Sequence, residues 1–211
     1  MKDAVSLYNV VKKYGKQTAL DGLTLTVPYG SLFGLVGSNG AGKTTMMAIV
    51  AGFTSPDAGV INVLENGFFS PYTHAGRVSI LPQDAQLPRE ARIKELMCFY
   101  AELQGVPSNE IYSHVDELLG IFHLSERALS QVRTLSHGMM RRLTIAQAFI
   151  GNPELILLDE PFSGLDPREA DNARNCVRMK KKHQTIIVSS HNLNDIERLC
   201  DMVAFVEKGR T

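Results

Sequence analysis

Apolar residues occupy alternate positions at the start of the chain: Val5 and Leu7, then Leu23, Leu25 and Val27 separated by Thr24 and Thr26. A period of two places each apolar set on one face, which predicts antiparallel strands covered on one side, with a turn at Tyr14-Gly15-Lys16-Gln17. The pattern then changes. Leu32–Val36, Val78–Leu81, Leu155–Leu158, 186–188 and 202–206 are short, mostly continuous apolar runs, as expected of parallel strands buried on both faces. Between Gln83 and Arg141 the period lengthens again. Ile93, Leu96, Met97, Tyr100 and Leu103 fall at helical spacing, as do Ile111, Val115, Leu118, Leu119 and Phe122 behind a candidate cap at Ser108. The fold class predicted is α/β: a nucleotide-binding-type core with a mainly parallel sheet (1–83 and 141–211), an antiparallel β subdomain at its N-terminus, and a helical insert at 84–140. No internal repeat or low-complexity stretch interrupts it.

The candidate chemistry lies at the ends of two of the apolar runs. After Val36 comes Gly37-Ser38-Asn39-Gly40-Ala41-Gly42-Lys43-Thr44-Thr45, followed by a helix-like run over 44–51. Glycines at this spacing let successive backbone N–H groups curl into a nest around phosphates, and the anion then rests on a helix N-terminus. Lys43 can reach the β- and γ-oxygens as a point charge, and the Thr44 hydroxyl can enter the shell of a bridging Mg²⁺, with Thr45 beside them. After Leu158 come Asp159-Glu160-Pro161. Carboxylates there sit at the edge where open parallel sheets bind nucleotides, with Asp159 placed for Mg²⁺ and Glu160 for an attacking water as general base.

Composition narrows the class. The 211 residues suffice for one α/β domain with its own core, and 22 Lys plus Arg balance 22 Asp plus Glu. The chain therefore has no overall basic field for nucleic acid or an anionic membrane, so no nucleic-acid partner is expected. Cys98, Cys176 and Cys200 are far apart and lack metal-ligand spacing, which predicts core or surface thiols in a reducing compartment. No apolar run approaches the ~18 residues of a membrane span, and the N-terminus lacks a signal-peptide pattern, so a membrane role needs a partner chain. Lys180-Lys181-Lys182 is expected to be a solvated loop before a strand.

Further motifs stand in a recognisable order: Leu81-Pro82-Gln83, Leu135-Ser136-His137-Gly138-Met139, Ser163-Gly164-Leu165-Asp166 and His191. With the two above, they make the chain resemble, over essentially its whole length, the nucleotide-binding subunit of an ATP-binding-cassette (ABC) transporter, leaning toward the short exporter type. The resemblance implies ATP and Mg²⁺ as ligands and a P-loop NTPase core. It makes Gln83 the Q-loop residue that senses Mg²⁺ and water, His191 the switch histidine, and Tyr14 the aromatic that stacks on adenine. Ser136 and Gly138 become the signature offered to a partner's ATP, with Ser136 capping a helix through Met140 to Phe149, and Asp166 of the D-loop crosses between subunits. The implied partners are an integral membrane permease on a separate chain and a second ATP-binding subunit, as a homodimer or an unequal heterodimer, at the cytoplasmic face of the membrane. The signature departs from the family's LSGGQ, with His137 in place of glycine and Met139 in place of glutamine. The rival readings are a soluble ABC-type regulatory ATPase acting on ribosomes or nucleic acid, and a P-loop small-molecule kinase, for which the signature, Gln83 and His191 would have no purpose.

Overall fold

A computed structural model describes residues 2–211. Strands β1 (Asp3–Tyr14) and β2 (Gln17–Pro28) form an antiparallel hairpin whose turn is where the alternation ends, with Tyr14 opposite Gln17. Val5, Leu7, Leu23, Leu25 and Val27 are all buried on its inner face. A strand without a marked sequence pattern, β4 (Ala58–Val63), pairs with the other edge of β1 and completes a three-stranded sheet in the order β2-β1-β4. Its first three residues are exposed, so no apolar run announced it.

The second sheet has five strands, all parallel, in the order β5-β6-β7-β3-β8. These are β3 (Leu32–Val36), β5 (Val78–Leu81), β6 (Leu155–Leu158), β7 (Thr185–Ser190) and β8 (Met202–Phe205). Burial on both faces holds for the inner three, every residue of which is buried. It fails for β5 and β8, which are the edges; Met202, Val203 and Phe205 of β8 are exposed. An edge strand has a neighbour on one side only, so an apolar run does not guarantee two covers.

Successive residues of the inner strands feed two cores. Ile156, Leu158, Ile186 and Val188 join the helical side, whereas Leu155, Leu157 and Ile187 pack with the antiparallel sheet. The first helix, α1 (Lys43–Val50), lies on the latter side, and its Met46, Met47, Ile49 and Val50 are buried there. A single turn, α2 (Pro71–His74), precedes β5. The helical stretch contains α3 (Ile93–Leu103), α4 (Ile111–Ile121) and α5 (His137–Ala148), and α5 runs through the 140/141 division. Their apolar faces share one cluster with the sheet, which also takes in α6 (Pro167–Lys180) and the short α7 (Leu193–Glu197).

Three local expectations are corrected. Leu103 closes the stripe of α3 but is exposed at its end. Ser108 does not cap α4, whose N-cap position is Glu110 without a side-chain bond. Lys180 is not in a solvated loop: it ends α6 almost wholly buried, with its ammonium 3.2 Å from Glu117 of α4, while Lys182 stays exposed. The spacing of α6 turns Lys180 inward, and the carboxylate of α4 supplies the partner that a buried cation requires.

Next to that pair, the Gly151 N–H donates to Nε2 of buried His114 at 3.1 Å, an arrangement open only to the neutral ring. Burial first, and the Lys180 charge second, hold its pKa below the ordinary 6.5. The unfolded chain takes up this proton near pH 6.5 and the folded chain resists, so stability present above that pH is lost as the pH falls toward the folded value. Urea midpoints should accordingly drop below pH 6.5, and the drop should be shallower in His114→Gln.

Candidate nucleotide site

Residues 37–42 turn the chain from β3 into α1, and two glycines are required there for close approach. A Cβ on Gly37 would lie 2.3 Å from the Val206 carbonyl oxygen. Gly42 sits at φ +112, and a Cβ there would stand 2.7 Å from the Ala19 carbonyl oxygen. Gly42 also occupies the N-cap position of α1 and brings no side-chain cap, which leaves the first-turn N–H groups and the positive end of the helix dipole for an anion.

These N–H groups border a cleft of about 420 Å³ lined by 38–45, Tyr14, Gln17, Ala19, Gln83 and Glu160. Tyr14 is half exposed at the hairpin turn, with the Lys12 ammonium 5.4 Å from its ring centroid. Lys43 is buried and donates to the carbonyls of Gly37 (2.6 Å) and Ser38 (3.2 Å). It also lies 3.4 Å from Glu160 Oε1. Glu160 Oε2 is 2.9 Å from Nδ1 of His191, just beyond β7.

Asp159 sits behind the loop, almost fully buried, and accepts a hydrogen bond from Thr44 Oγ1 at 2.7 Å. The two carboxylates thus diverge, but not because the chain is extended. Glu160 has φ +47, a left-handed conformation that costs a non-glycine residue about 1–3 kcal/mol unless the surroundings impose it. Its N–H donates to the hydroxyl of Ser189 at 2.8 Å, and the same hydroxyl donates to Asp159 Oδ1. A hydroxyl and a carboxylate in contact suit Mg²⁺, which takes hard oxygens and keeps several waters. Among the described residues no group of three or more His, Cys, Asp or Glu could hold a metal by itself.

A family model described as ABC transporter matches residues 20–163. The chain belongs to the ABC transporter family, as an ATP-binding domain. An uncharacterized ABC transporter ATP-binding protein of Methanocaldococcus jannaschii is 34% identical over all of this chain and 76% of its own length. The Nod factor export ATP-binding protein I of a Rhizobium species is 36% identical over 99% of this chain and 69% of its own. Among solved structures, an ATP-binding cassette of an ABC transporter superposes with TM-score 0.88 at 24% identity, covering all of this chain and 90% of that one. An ATP-binding subunit of another ABC transporter gives 0.85 at 29% identity, over 99% and 88%.

The ABC cassette brings Tyr14, 38–45, Gln83 and Glu160 together around one cleft, with Gly37 and Asp159 behind it and His191 against Glu160. It does not bring Ser136, Gly138 or Asp166 there. Ser136 Oγ accepts from the Met139 N–H at 3.2 Å and caps α5, which begins at His137 and ends at Ala148 with Phe149 as its C-cap. Gly138 is buried against Glu169, and Asp166 caps α6 by accepting from the N–H groups of Arg168 and Glu169. Two residues of the site were missed. Ser189 carried a weak signal, as a polar residue closing an apolar strand, whereas nothing in the sequence distinguished Arg141 from other surface arginines. Replacing Ser189 with Ala leaves the Asp159 oxygen and the Glu160 N–H buried without their partner. The expected loss is about 1–3 kcal/mol in urea unfolding, larger than a simple hydroxyl deletion at the surface would give.

Proposed function

We propose that this chain hydrolyses Mg·ATP and so powers a membrane transporter from the cytoplasmic side. The observation that supports this most is the meeting of Lys43, Glu160 and His191 at the ends of β3, β6 and β7, which are neighbours in the sheet. Lys43 would exchange its carbonyl partners for the β- and γ-phosphate oxygens. Glu160, no longer held by Lys43, would take a proton from the attacking water while His191 orients its other oxygen. Thr44, Asp159 and Gln83 would hold Mg²⁺, which neutralises charge on the phosphates, and Tyr14 would stack on adenine.

The cleft lacks the signature of its own chain, which supports a head-to-tail pair in which each copy offers Ser136 and Gly138 to the other's ATP and Asp166 lies along the seam. ATP then acts as a ligand of the closed pair, and only its tighter binding to that state can do work on a permease. No helix among the described residues is long and apolar enough to cross a membrane, and the permease in this proposal is an integral membrane protein on a separate chain. Relatives named for Nod factor export support an exporter-type reading, with cargo selected by the permease.

Glu160→Gln should keep ATP binding but cut turnover on the order of 10²-fold or more. The same variant should form a dimer on adding ATP in light scattering, and near-normal turnover would remove Glu160 from the role of base. Affinity capture from detergent-extracted membranes should bring down a stoichiometric multi-span protein. Recovery of only ribosomes or soluble partners would replace transport with the regulatory reading.

A further inference from the structure

Arg141, in the second turn of α5, is half-buried and directs all of its guanidinium edges at backbone carbonyls. Nη2 donates to the Glu160 carbonyl at 2.6 Å, Nε to the Pro161 carbonyl at 2.7 Å and Nη1 to the Gln83 carbonyl at 3.3 Å. One planar group from the signature helix therefore grips both loops that flank the cleft. The grip falls on the residue whose backbone is least free. Glu160, at φ +47, has its N–H fixed by Ser189 and its carbonyl fixed by Arg141, with the Ser163 N–H also donating to that carbonyl at 3.2 Å. Its side chain is aimed at Lys43 and His191 only while this backbone stays in place.

We infer that Arg141 is a positioning residue: it holds Glu160 in the left-handed conformation that aims the carboxylate, and it makes that aim depend on where α5 and the Gln83 loop stand. The inference rests on Glu160 acting as the base proposed above. It does not require Arg141 to touch ATP, and Arg141 does not line the cleft. A lysine cannot replace it, because a single ammonium has no planar fork to span carbonyls of two loops. Movement of α5 relative to the core would be transmitted through two short hydrogen bonds to the backbone of Glu160 and Pro161, and through a longer one to the Gln83 loop.

The test uses the full chain, Arg141→Ala and Arg141→Lys, with steady-state ATP turnover and amide hydrogen exchange. In both variants kcat should fall on the order of 10- to 100-fold, as small misplacements of a reacting group do. The KM for ATP should stay within about twofold, because no ground-state contact is removed. The amides of Glu160 and Ser163 should exchange on the order of tenfold faster. Unchanged exchange at those amides, unchanged kcat, or a kcat loss matched by loss of ATP binding would each overturn the inference. If Arg141→Ala melts early, Arg141→Lys carries the same comparison. A parent chain with no ATP turnover would instead defeat the ATPase reading, and the exchange measurement would still decide whether Arg141 holds Glu160.

Discussion

Lys43 and Glu160 face each other 3.4 Å apart, with side chains only 5% and 6% exposed. Taking two charges out of water costs several kcal/mol per ion, and mutual attraction offsets this only when further hydrogen bonds complete the pair. Here the completion is lopsided. The lysine has two backbone carbonyls and the glutamate has His191 on one oxygen, but Glu160 Oε1 has no hydrogen-bond donor of its own. An incompletely satisfied buried pair is one that a better partner can separate. In the function proposed above a polyphosphate would be such a partner for Lys43, since it brings more negative charge and would be met by helix N–H groups as well.

That contact depends in turn on the sheet. Lys43 follows β3, Glu160 follows β6 and His191 follows β7, and the order β6-β7-β3 sets the three loops side by side. Because those strands are buried on both faces, their ends cannot drift apart without opening both cores. The strained backbone at Glu160 persists for the same reason. Ser189 is fixed within β7 opposite Leu35 of β3, so the hydroxyl that receives the Glu160 N–H is as rigid as the sheet itself.

The sequence was legible wherever one physical demand dominated. Inner parallel strands must be apolar on both sides, so β3 and β6 appear as continuous runs with the bounds the structure shows. The turn from β3 into α1 was legible because its glycines answer to backbone approach, at Gly37 and Gly42 most of all. Where demands compete, the pattern fails. β4 is an edge strand with exposed first residues, β8 is apolar yet uncovered, and Lys180 looks like a surface charge but finds Glu117 across an interhelical contact. Arg141 was invisible because its partners are backbone carbonyls, which exist at every position and leave no mark in a sequence.

The start of α5, where His137 departs from the family pattern, is closely packed against its own chain. A Cβ on Gly138 would meet Glu169 at 2.7 Å, and Glu169 faces Arg142 at 3.4 Å, so the starts of α5 and α6 are packed with no room between them. Arg142 also donates to the Phe122 carbonyl at 2.8 Å, which fastens α5 to the end of α4. Into this arrangement the chain places His137, whose Nε2 lies 3.4 Å from where a Gly164 Cβ would stand. At φ +75 that position favours glycine for its backbone alone, since a Cβ there would meet the imidazole at no closer than ordinary contact distance. His137 therefore lies beside the 163–166 loop of the same chain. In the head-to-tail pair proposed above, a partner approaching Ser136 would therefore meet His137 and Gly164 beside it and would read the two loops as one surface.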